Sequence, residues 1–260
     1  MTKEYGIIRQ GKPQFPVREL LVVPHQDGDL TVSYPFFGPN YFSNNVAEMG
    51  KIYSHPQTGD AITFKEPTTS ESISASAFNF REIAKPEVFD ARWLQAGRIV
   101  RDVDGVYANT QVTDGKELKK LRDKAKKVNG IWILENGKVE GVRDFGFAPY
   151  ETFDRQKDGI DYVAFADGGL ARVLEHTQEK TAKNLKAIAS PENYKRGVDV
   201  WGFDDVKEPK AGVVGLGSNG CVDRGGLYVS GNSWIGGYYG CAPGVLTSAS
   251  QGAKSAKKAA

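Results

Sequence analysis

Glycine spacing in the last third of the chain is the feature that most restricts its fold. Eleven glycines lie between Gly212 and Gly244, separated mainly by aromatic, β-branched and small residues. A glycine in a helix interior costs about 1 kcal/mol relative to alanine, so this segment disfavours helix. Strands and turns tolerate the same composition, because glycine permits bulges and close backbone approach. The C-terminal third is therefore predicted to be glycine-rich β structure.

Within this segment, GLGSNG at residues 215–220 matches the spacing of a dinucleotide-binding loop. Such a loop requires a helix directly after its third glycine, because the helix N-terminus holds the pyrophosphate. The next twenty residues contain six more glycines, and no acidic residue stands at the ribose-binding spacing. The pattern is therefore interpreted as strand and turn, and a dinucleotide cofactor is not predicted.

The N-terminal part alternates short strands with helices. YGII, ELLVV, LTVSY and AITF are typical of strands, and a short helix is expected after Ser43 or Asn44. Thr68 and Glu71 have the spacing of a capping box, followed by an apolar stripe that predicts a helix ending before Pro86. Another helical turn or two is predicted across residues 86–97, and a hairpin around Asp104-Gly105.

Two further units complete the predicted fold. A helix capped by Asp114 continues to Asn129-Gly130, and a hairpin turns at Asn136-Gly137. A strand at 161–166, a two-glycine turn and a helix over 170–189 follow. The expected class is α+β, with a mixed, largely antiparallel sheet and about four helices. Residues 1–247 are predicted to form a single domain, and 248–260 a flexible tail rich in Lys and Ala.

The turn at residues 167–169 is the first candidate site. Gly168 and Gly169 would allow close backbone approach, so the N–H groups of the predicted helix could bind a small anionic ligand. Asp167 would bind a metal or activate water, and Arg172 would balance charge, which points to a possible hydrolase. The alternative is structural, with Asp167 capping the helix and the glycines forming the turn.

Histidine and aspartate suggest a second candidate site, for a divalent metal. His25, Asp27 and Asp29 form H-x-D-x-D on a predicted turn, and His55 lies near Asp60 in another. Aspartate and glycine are also the residues that a tight turn requires. The spacing does not identify a metal, so the cofactor remains unspecified. His176, on the predicted long helix, is expected to be solvated or capping.

Residues 116–127 carry the strongest local charge, with seven basic residues against Glu117 and Asp123. Lys119, Arg122 and Lys126 would contact phosphates if this helix binds nucleic acid, or carboxylates if it binds an acidic protein. Aromatic residues of the last third could stack on unpaired bases. A lysine-rich outer helix face is also ordinary, so a non-catalytic interaction protein is the alternative function. A structural or assembly subunit is a third.

Composition restricts the remaining possibilities. The net charge is +2, from 34 basic and 32 acidic residues, which excludes a global field for nucleic-acid binding. No signal peptide or long apolar segment is apparent, so a soluble cytoplasmic protein is expected, with no membrane partner. Cys221 and Cys241 are compatible with two packed thiols, one disulfide, or metal or redox chemistry. The oligomeric state is left open.

Overall fold

The computed structural model describes residues 3–9, 12–13, 18–26, 28–55, 58, 60–82, 93–219, 225–233 and 239–247. Cys221, Asp27 and the predicted tail lie outside these residues. The strands within them are β1 (Lys3–Arg9), β2 (Lys12–Pro13), β3 (Arg18–His25), β4 (Gly28–Tyr34), β5 (Phe37–Asn40), β6 (Tyr53–Ser54), β7 (Ala61–Lys65), β8 (Trp93–Asp102), β9 (Gly105–Ala108), β10 (Lys126–Val128), β11 (Ile131–Ile133), β12 (Gly146–Pro149), β13 (Lys157–Ile160), β14 (Val198–Trp201), β15 (Lys210–Asn219), β16 (Gly226–Ser233), β17 (Gly240–Ala242) and β18 (Val245–Thr247).

Six α-helices lie within the same ranges, together with a 3₁₀ turn at Tyr150–Thr152. The predicted α+β class is confirmed at this level, although two more helices are present than the four expected. The helices are α1 (Phe42–Met49), α2 (Thr69–Glu82), α3 (Gly115–Asp123), α4 (Tyr162–Asp167), α5 (Gly169–Glu175) and α6 (Lys183–Ile188).

The strands form two sheets. The smaller runs β2-β1-β3-β4-β18-β7-β6, and β6 also pairs with β1, so the described strands other than β2 make a closed ring. The larger runs β10-β11-β12-β9-β8-β15-β16-β14-β13, with β17 joining β8 to β5. The pairs β14–β16 and β8–β17 are parallel, and the other described pairs are antiparallel. The sheets are thus largely antiparallel, as predicted.

Helix α2 occupies the centre of the molecule, packed against β3, β8, α5 and α6. The predicted capping box is present: Thr68 N donates to Glu71 Oε2 at 2.8 Å, and Glu71 N donates to Thr68 Oγ1 at 3.2 Å. Every residue of α2 from Thr69 to Ala77 is buried. The small serines and alanines of this segment allow close packing, but the serine hydroxyls then need internal partners.

The region predicted as strand, turn and long helix is instead three short helices. Residues 162–167 form α4, because the Asp161 side chain accepts from the amides of Val163 and Ala164 and caps a helix there. The long helix breaks after Glu175, since His176 adopts a left-handed conformation with φ of 52°. Glu175 then accepts from the amides of Asn184 and Leu185, which starts α6.

The lysine-rich helix is also shorter than predicted. It ends at Asp123, and Lys126 lies in strand β10. Asn129 and Gly130 both have positive φ, 49° and 87°, and make the turn from β10 to β11. The hairpin therefore turns at the first Asn-Gly pair, not the second, and residues 139–142 form no strand.

The hairpin predicted around Asp104-Gly105 is confirmed, because β8 and β9 pair from Asp102 and Gly105 onward. The helical turn expected at residues 93–97 is wrong, since these residues belong to β8, while 86–92 lie outside the described residues. Residues 215–219 lie in β15, between β8 and β16. A side chain at Gly217 would collide with the Trp93 ring, so close packing accounts for the glycine at this position.

Candidate functional site

The turn at residues 167–169 does not have the predicted geometry. It joins two helices, and its elements are too short to define a helix-terminal anion site. Asp167 is exposed and accepts from Thr181 Oγ1 at 2.5 Å, so it does not cap α5. Gly169 is buried directly against Thr152, and Arg172 Nη2 donates to the Asn129 carbonyl at 2.8 Å. Asp167 and Arg172 therefore hold separate structural partners.

A cavity of about 290 Å³ lies beside Gly168, but its chemistry disfavours an anion. Its described lining includes the carboxylates of Glu151 and Asp154 and contains no lysine, arginine or histidine. Negative charge at the rim would repel the phosphate or carboxylate expected from the sequence. Among the described residues that line this cavity, the predicted ligand site at Gly168 and Gly169 thus has no cationic partner.

The predicted metal cluster is separated by the geometry of a hairpin. His25 pairs with Gly28 and Pro24 pairs with Asp29, so His25 and Asp29 project to opposite faces of the β3–β4 ribbon. Asp27 lies outside the described residues. Within the described ranges no group of three His, Cys, Asp or Glu side chains could hold a metal ion. The Thr58 amide donates to His55 Nδ1 at 3.3 Å, and the His55 amide donates to the Asp60 backbone carbonyl at 2.9 Å.

The basic residues at 116–127 have two different roles. Arg122 bonds to Asp104 at 2.8 Å, and its guanidinium lies 5.0 Å from the ring centroid of Phe147, so it is a structural residue. Lys119, on α3, and Lys126, on the neighbouring strand β10, are exposed. The exposed positive charge of this segment is therefore divided between a helix and a strand, and on the strand Lys126 and Lys127 project to opposite sides. We call these exposed lysines together the basic face: Lys116, Lys119, Lys120, Lys124, Lys126 and Lys127.

The most unusual group is Asp144, which the sequence did not single out. It is 3% exposed and has φ of 52°. Its carboxylate accepts from Thr68 Oγ1 and Ser70 Oγ, each at 2.6 Å, and from Asn136 Nδ2 at 2.8 Å. Gln26 Nε2 adds a bond at 3.2 Å. Burial favours a raised pKa for Asp144, but these hydrogen bonds outweigh it and hold the pKa at about 2.

Two of the three histidines face this carboxylate. His25 Nε2 is 4.0 Å from Asp144 Oδ2, and His176 Nδ1 is 3.7 Å from Asp144 Oδ1. His176 Nε2 is 3.0 Å from the Leu134 carbonyl, which can only accept, so Nε2 carries the proton. Burial lowers the pKa of both histidines, against the attraction of Asp144. Both imidazoles are therefore neutral near pH 7.

Above this centre is a cleft of about 240 Å³, where the ends of β3 and α5 meet α2 and α6. His25, His176 and Ser74 line its inner part. Ser74 Oγ is 2.9 Å from His25 Nδ1. We call this the histidine cleft; its remaining lining residues are Gln26, Glu175, Thr177, Glu179, Lys183 and Asn184.

The sequence indicated His25 as a possible metal ligand and His176 as a solvated or capping residue, and it did not single out Ser74 or Asp144. His176 is the C-cap of α5, but its side chain is buried beside Asp144 rather than solvated. One signal was available: Ser70 and Ser74 lie one turn apart on a helix that is unusually rich in serine. Asp144 had no comparable signal. It lies in a loop, and its donors are 8, 74, 76 and 118 residues away.

Some aromatic residues of the last third are now placed. Tyr239 is exposed and meets exposed Tyr41 edge-on, with ring centroids 6.0 Å apart. Tyr228 packs edge-on against Trp93 at 5.2 Å. Trp234 and Tyr238 lie outside the described residues. Cys241 is buried, but its predicted alternatives remain untested because Cys221 also lies outside.

Comparison with protein-family models and with curated proteins finds no match for this chain. One solved structure, described as "Accommodation of massive sequence variation in Nanoarchaeota by the C-type lectin fold", is similar over 80% of this chain and 95% of its own. Sequence identity is 15% and the TM-score is 0.42. No helix in the described part of the chain is long and apolar enough to span a membrane.

Proposed function

We propose that the protein binds a small polar molecule in the histidine cleft. The observation that supports this most is the convergence of two neutral imidazoles and one hydroxyl on a cavity of about 240 Å³. Concave sites that combine a few convergent polar groups with perturbed pKa values are typical of ligand binding. The buried bonds of Asp144 hold this inner wall in place, so the cleft is pre-organised.

The charges around the cleft favour an uncharged ligand near neutral pH. Glu179 and Lys183 form an ion pair at 2.7 Å across the rim, and Glu175 is engaged by the α6 amides. Asp144 adds a negative charge behind the imidazoles. Because Lys183 is already paired with Glu179, an anionic ligand, as first expected from the sequence, would gain an unpaired cationic partner here only after a histidine is protonated. Its affinity should therefore increase as the pH falls.

Histidine NMR provides a direct test, because the chain contains only three histidines. We expect acetamide or methyl acetate at pH 7.5 to shift the ring signals of His25 and His176, with His55 as the internal control. Acetate should shift them at pH 5.5 and much less at pH 7.5. The proposal is wrong if the three histidines respond equally, or if none responds at millimolar to molar probe concentrations.

A second candidate function is binding of a polyanion, such as single-stranded nucleic acid, at the basic face. Its six lysines are exposed, against the acidic Glu117 and Asp123. Among the described strands β10 pairs only with β11, and Lys126 and Lys127 on it are exposed, with Lys127 Nζ 4.5 Å from the ring centroid of Trp132. Lysines placed on both a helix and an adjoining strand edge suit a flexible phosphate chain better than a single ion.

Salt dependence separates this function from ligand binding in the cleft. A labelled 20-mer of single-stranded DNA should bind with an affinity that falls steeply as salt increases. The double variant Lys119→Gln/Lys126→Gln should weaken binding and reduce the salt slope. Lys195→Gln/Lys210→Gln removes the same charge from exposed positions elsewhere and is the matched control. Equal losses in the two variants would show that only net charge matters.

A further inference from the structure

We propose that Ser74 is a nucleophile toward small uncharged esters, with His25 as its general base. The inference rests on the proposed function, because the ester must first occupy the histidine cleft. Ser74 Oγ lies 2.9 Å from His25 Nδ1, and both side chains line the cavity. This arrangement places a hydroxyl, its base and space for a substrate together.

The proton positions follow from the charges around His25. Its Nε2 faces Asp144 Oδ2 at 4.0 Å, so the carboxylate favours a proton on that nitrogen. Nδ1 then carries the lone pair and accepts from the Ser74 hydroxyl. The distance to Asp144 is too long for a hydrogen bond. It still allows the carboxylate charge to stabilise the imidazolium that forms when His25 takes the serine proton.

Ser74 differs from the neighbouring serines of α2 in the basicity of its partner. Ser70 donates to Asp144, which is a very weak base, and Ser76 donates to the Ser72 carbonyl at 2.8 Å. Neither acceptor can take up a proton near neutral pH. The imidazole of His25 can, so Ser74 is the serine of this group that its partner can activate.

The reaction balances with water as the second reactant. Ser74 Oγ bonds to the acyl carbon while its proton moves to His25 Nδ1, and the alcohol then leaves with that proton. Water, deprotonated by His25, attacks the acyl-serine and releases the carboxylic acid. The Ser74 hydroxyl is restored by the proton from His25. The overall change is hydrolysis of one ester to one acid and one alcohol.

Several charged groups set the proton affinity of His25. Burial has the largest effect and lowers its pKa; Asp144 and Glu71 raise the pKa, while His176 and Arg143 lower it. His25 is therefore a neutral base near pH 7, the state that general-base catalysis requires. Reaction at Ser74 should thus follow a single ionisation below the ordinary histidine pKa of 6.5.

Diisopropyl fluorophosphate tests the proposal on the full chain. Its phosphorus should bond to Ser74 Oγ with loss of fluoride, giving one adduct by intact mass and peptide mapping. The rate should rise with pH to a plateau near pH 7. Ser74→Ala should abolish the adduct, and His25→Gln should slow it by roughly 100-fold. Ser76→Ala is the control and should react like the original protein.

A folded Asp144→Asn variant adds a readout that a purely structural role would not affect. Loss of the negative charge should move the midpoint of the pH profile for labelling downward. If that variant does not fold, the Ser74 and His25 variants still decide the matter. No adduct, an adduct at another residue, or an undiminished rate in His25→Gln would overturn the proposal.

The two proposals can fail separately. Ring shifts of His25 and His176 with acetamide, in a protein that gives no adduct, would leave ligand binding intact and exclude the nucleophile. An adduct at Ser74 without ring shifts would support the nucleophile and count against binding of the uncharged probe. Neither signal would mean that both proposals are wrong.

Discussion

The side-chain amide of Gln26 bridges Asp144 and His176. Gln26 Nε2 lies 3.2 Å from Asp144 Oδ1 and 3.5 Å from His176 Nδ1, across 118 and 150 residues of sequence. The amide thus separates the carboxylate from a nitrogen lone pair that would otherwise repel it. Protonation of His176 at Nδ1 would make that nitrogen a donor to Asp144. The Gln26 amide would then no longer be needed to separate the two groups.

Loss of Asp144 should destabilise the protein strongly. Asp144→Ala would leave the buried hydroxyls of Thr68 and Ser70 and the amide of Asn136 without their acceptor. We expect the free energy of unfolding to fall by roughly 3 kcal/mol or more, measured by urea denaturation. Asp167→Ala removes an exposed carboxylate and should cost less than about 1 kcal/mol. Similar losses in both would contradict the central role of Asp144.

Stability should decrease with acidification in two stages. His25 and His176 have folded-state pKa values below their ordinary 6.5, so below that pH the unfolded chain binds more protons and the free energy of unfolding declines. Asp144, whose folded pKa is about 2, adds stability that is lost as the pH falls from about 4 through 2. Melting temperature between pH 8 and 2 measures both stages. His176→Gln should make the first stage less steep. An unchanged first stage in this variant would show that protonation of His176 does not cause it.

Gly169 should not tolerate alanine. A Cβ there would collide with the Thr152 side chain. Alanine normally favours a helix by up to about 1 kcal/mol over glycine, but overpacking here should instead destabilise by roughly 1 to 3 kcal/mol. Gly28→Ala is the control, since nothing lies within 4 Å of the position that its Cβ would take. Stabilisation by Gly169→Ala in thermal unfolding would show an open turn, as the sequence had suggested.

Arg122 should contribute to stability where Lys119 does not. Arg122→Ala removes an ion pair with Asp104 and the contact with Phe147, so a loss of about 1 to 2 kcal/mol is expected in urea unfolding. Lys119→Ala removes one exposed charge and should change stability by less than about 0.5 kcal/mol. If Arg122→Ala does not change the free energy of unfolding, Arg122 is not a structural residue and could contact a binding partner.

Local sequence signals predicted some elements well. The Thr68 and Glu71 box and the Asp114 cap involve contacts a few residues apart, so the pattern and its cause lie in the same stretch. Helix α1 was also expected, but the predicted cap was wrong, because the helix begins at Phe42 with Tyr41 as its N-cap and contains Ser43 and Asn44. Predictions failed where one local signal had two meanings. Asn129-Gly130 suits both a helix end and a hairpin turn, and pairing of β10 with β11 selected the turn.

At the candidate site, distance along the sequence did not predict which residues are in contact. His25 and Asp29 are four residues apart and could have shared a metal site, yet strand pairing places them on opposite faces. His25 and Ser74, 49 residues apart, are in contact. Side-chain alternation within a hairpin overrides proximity along the chain.

The amino-acid sequence alone determined the α+β class, the β character of the glycine-rich C-terminal third and the starts of two helices, because glycine content, apolar period and capping act within a few residues. The tertiary structure decided where the chemistry lies. Two hydroxyls of the buried, serine-rich helix α2 have their partners in distant segments, Ser70 with Asp144 and Ser74 with His25, and His176 lies 3.7 Å from the same carboxylate. Such partnerships depend on which segments pack together, a property that no single stretch of sequence contains.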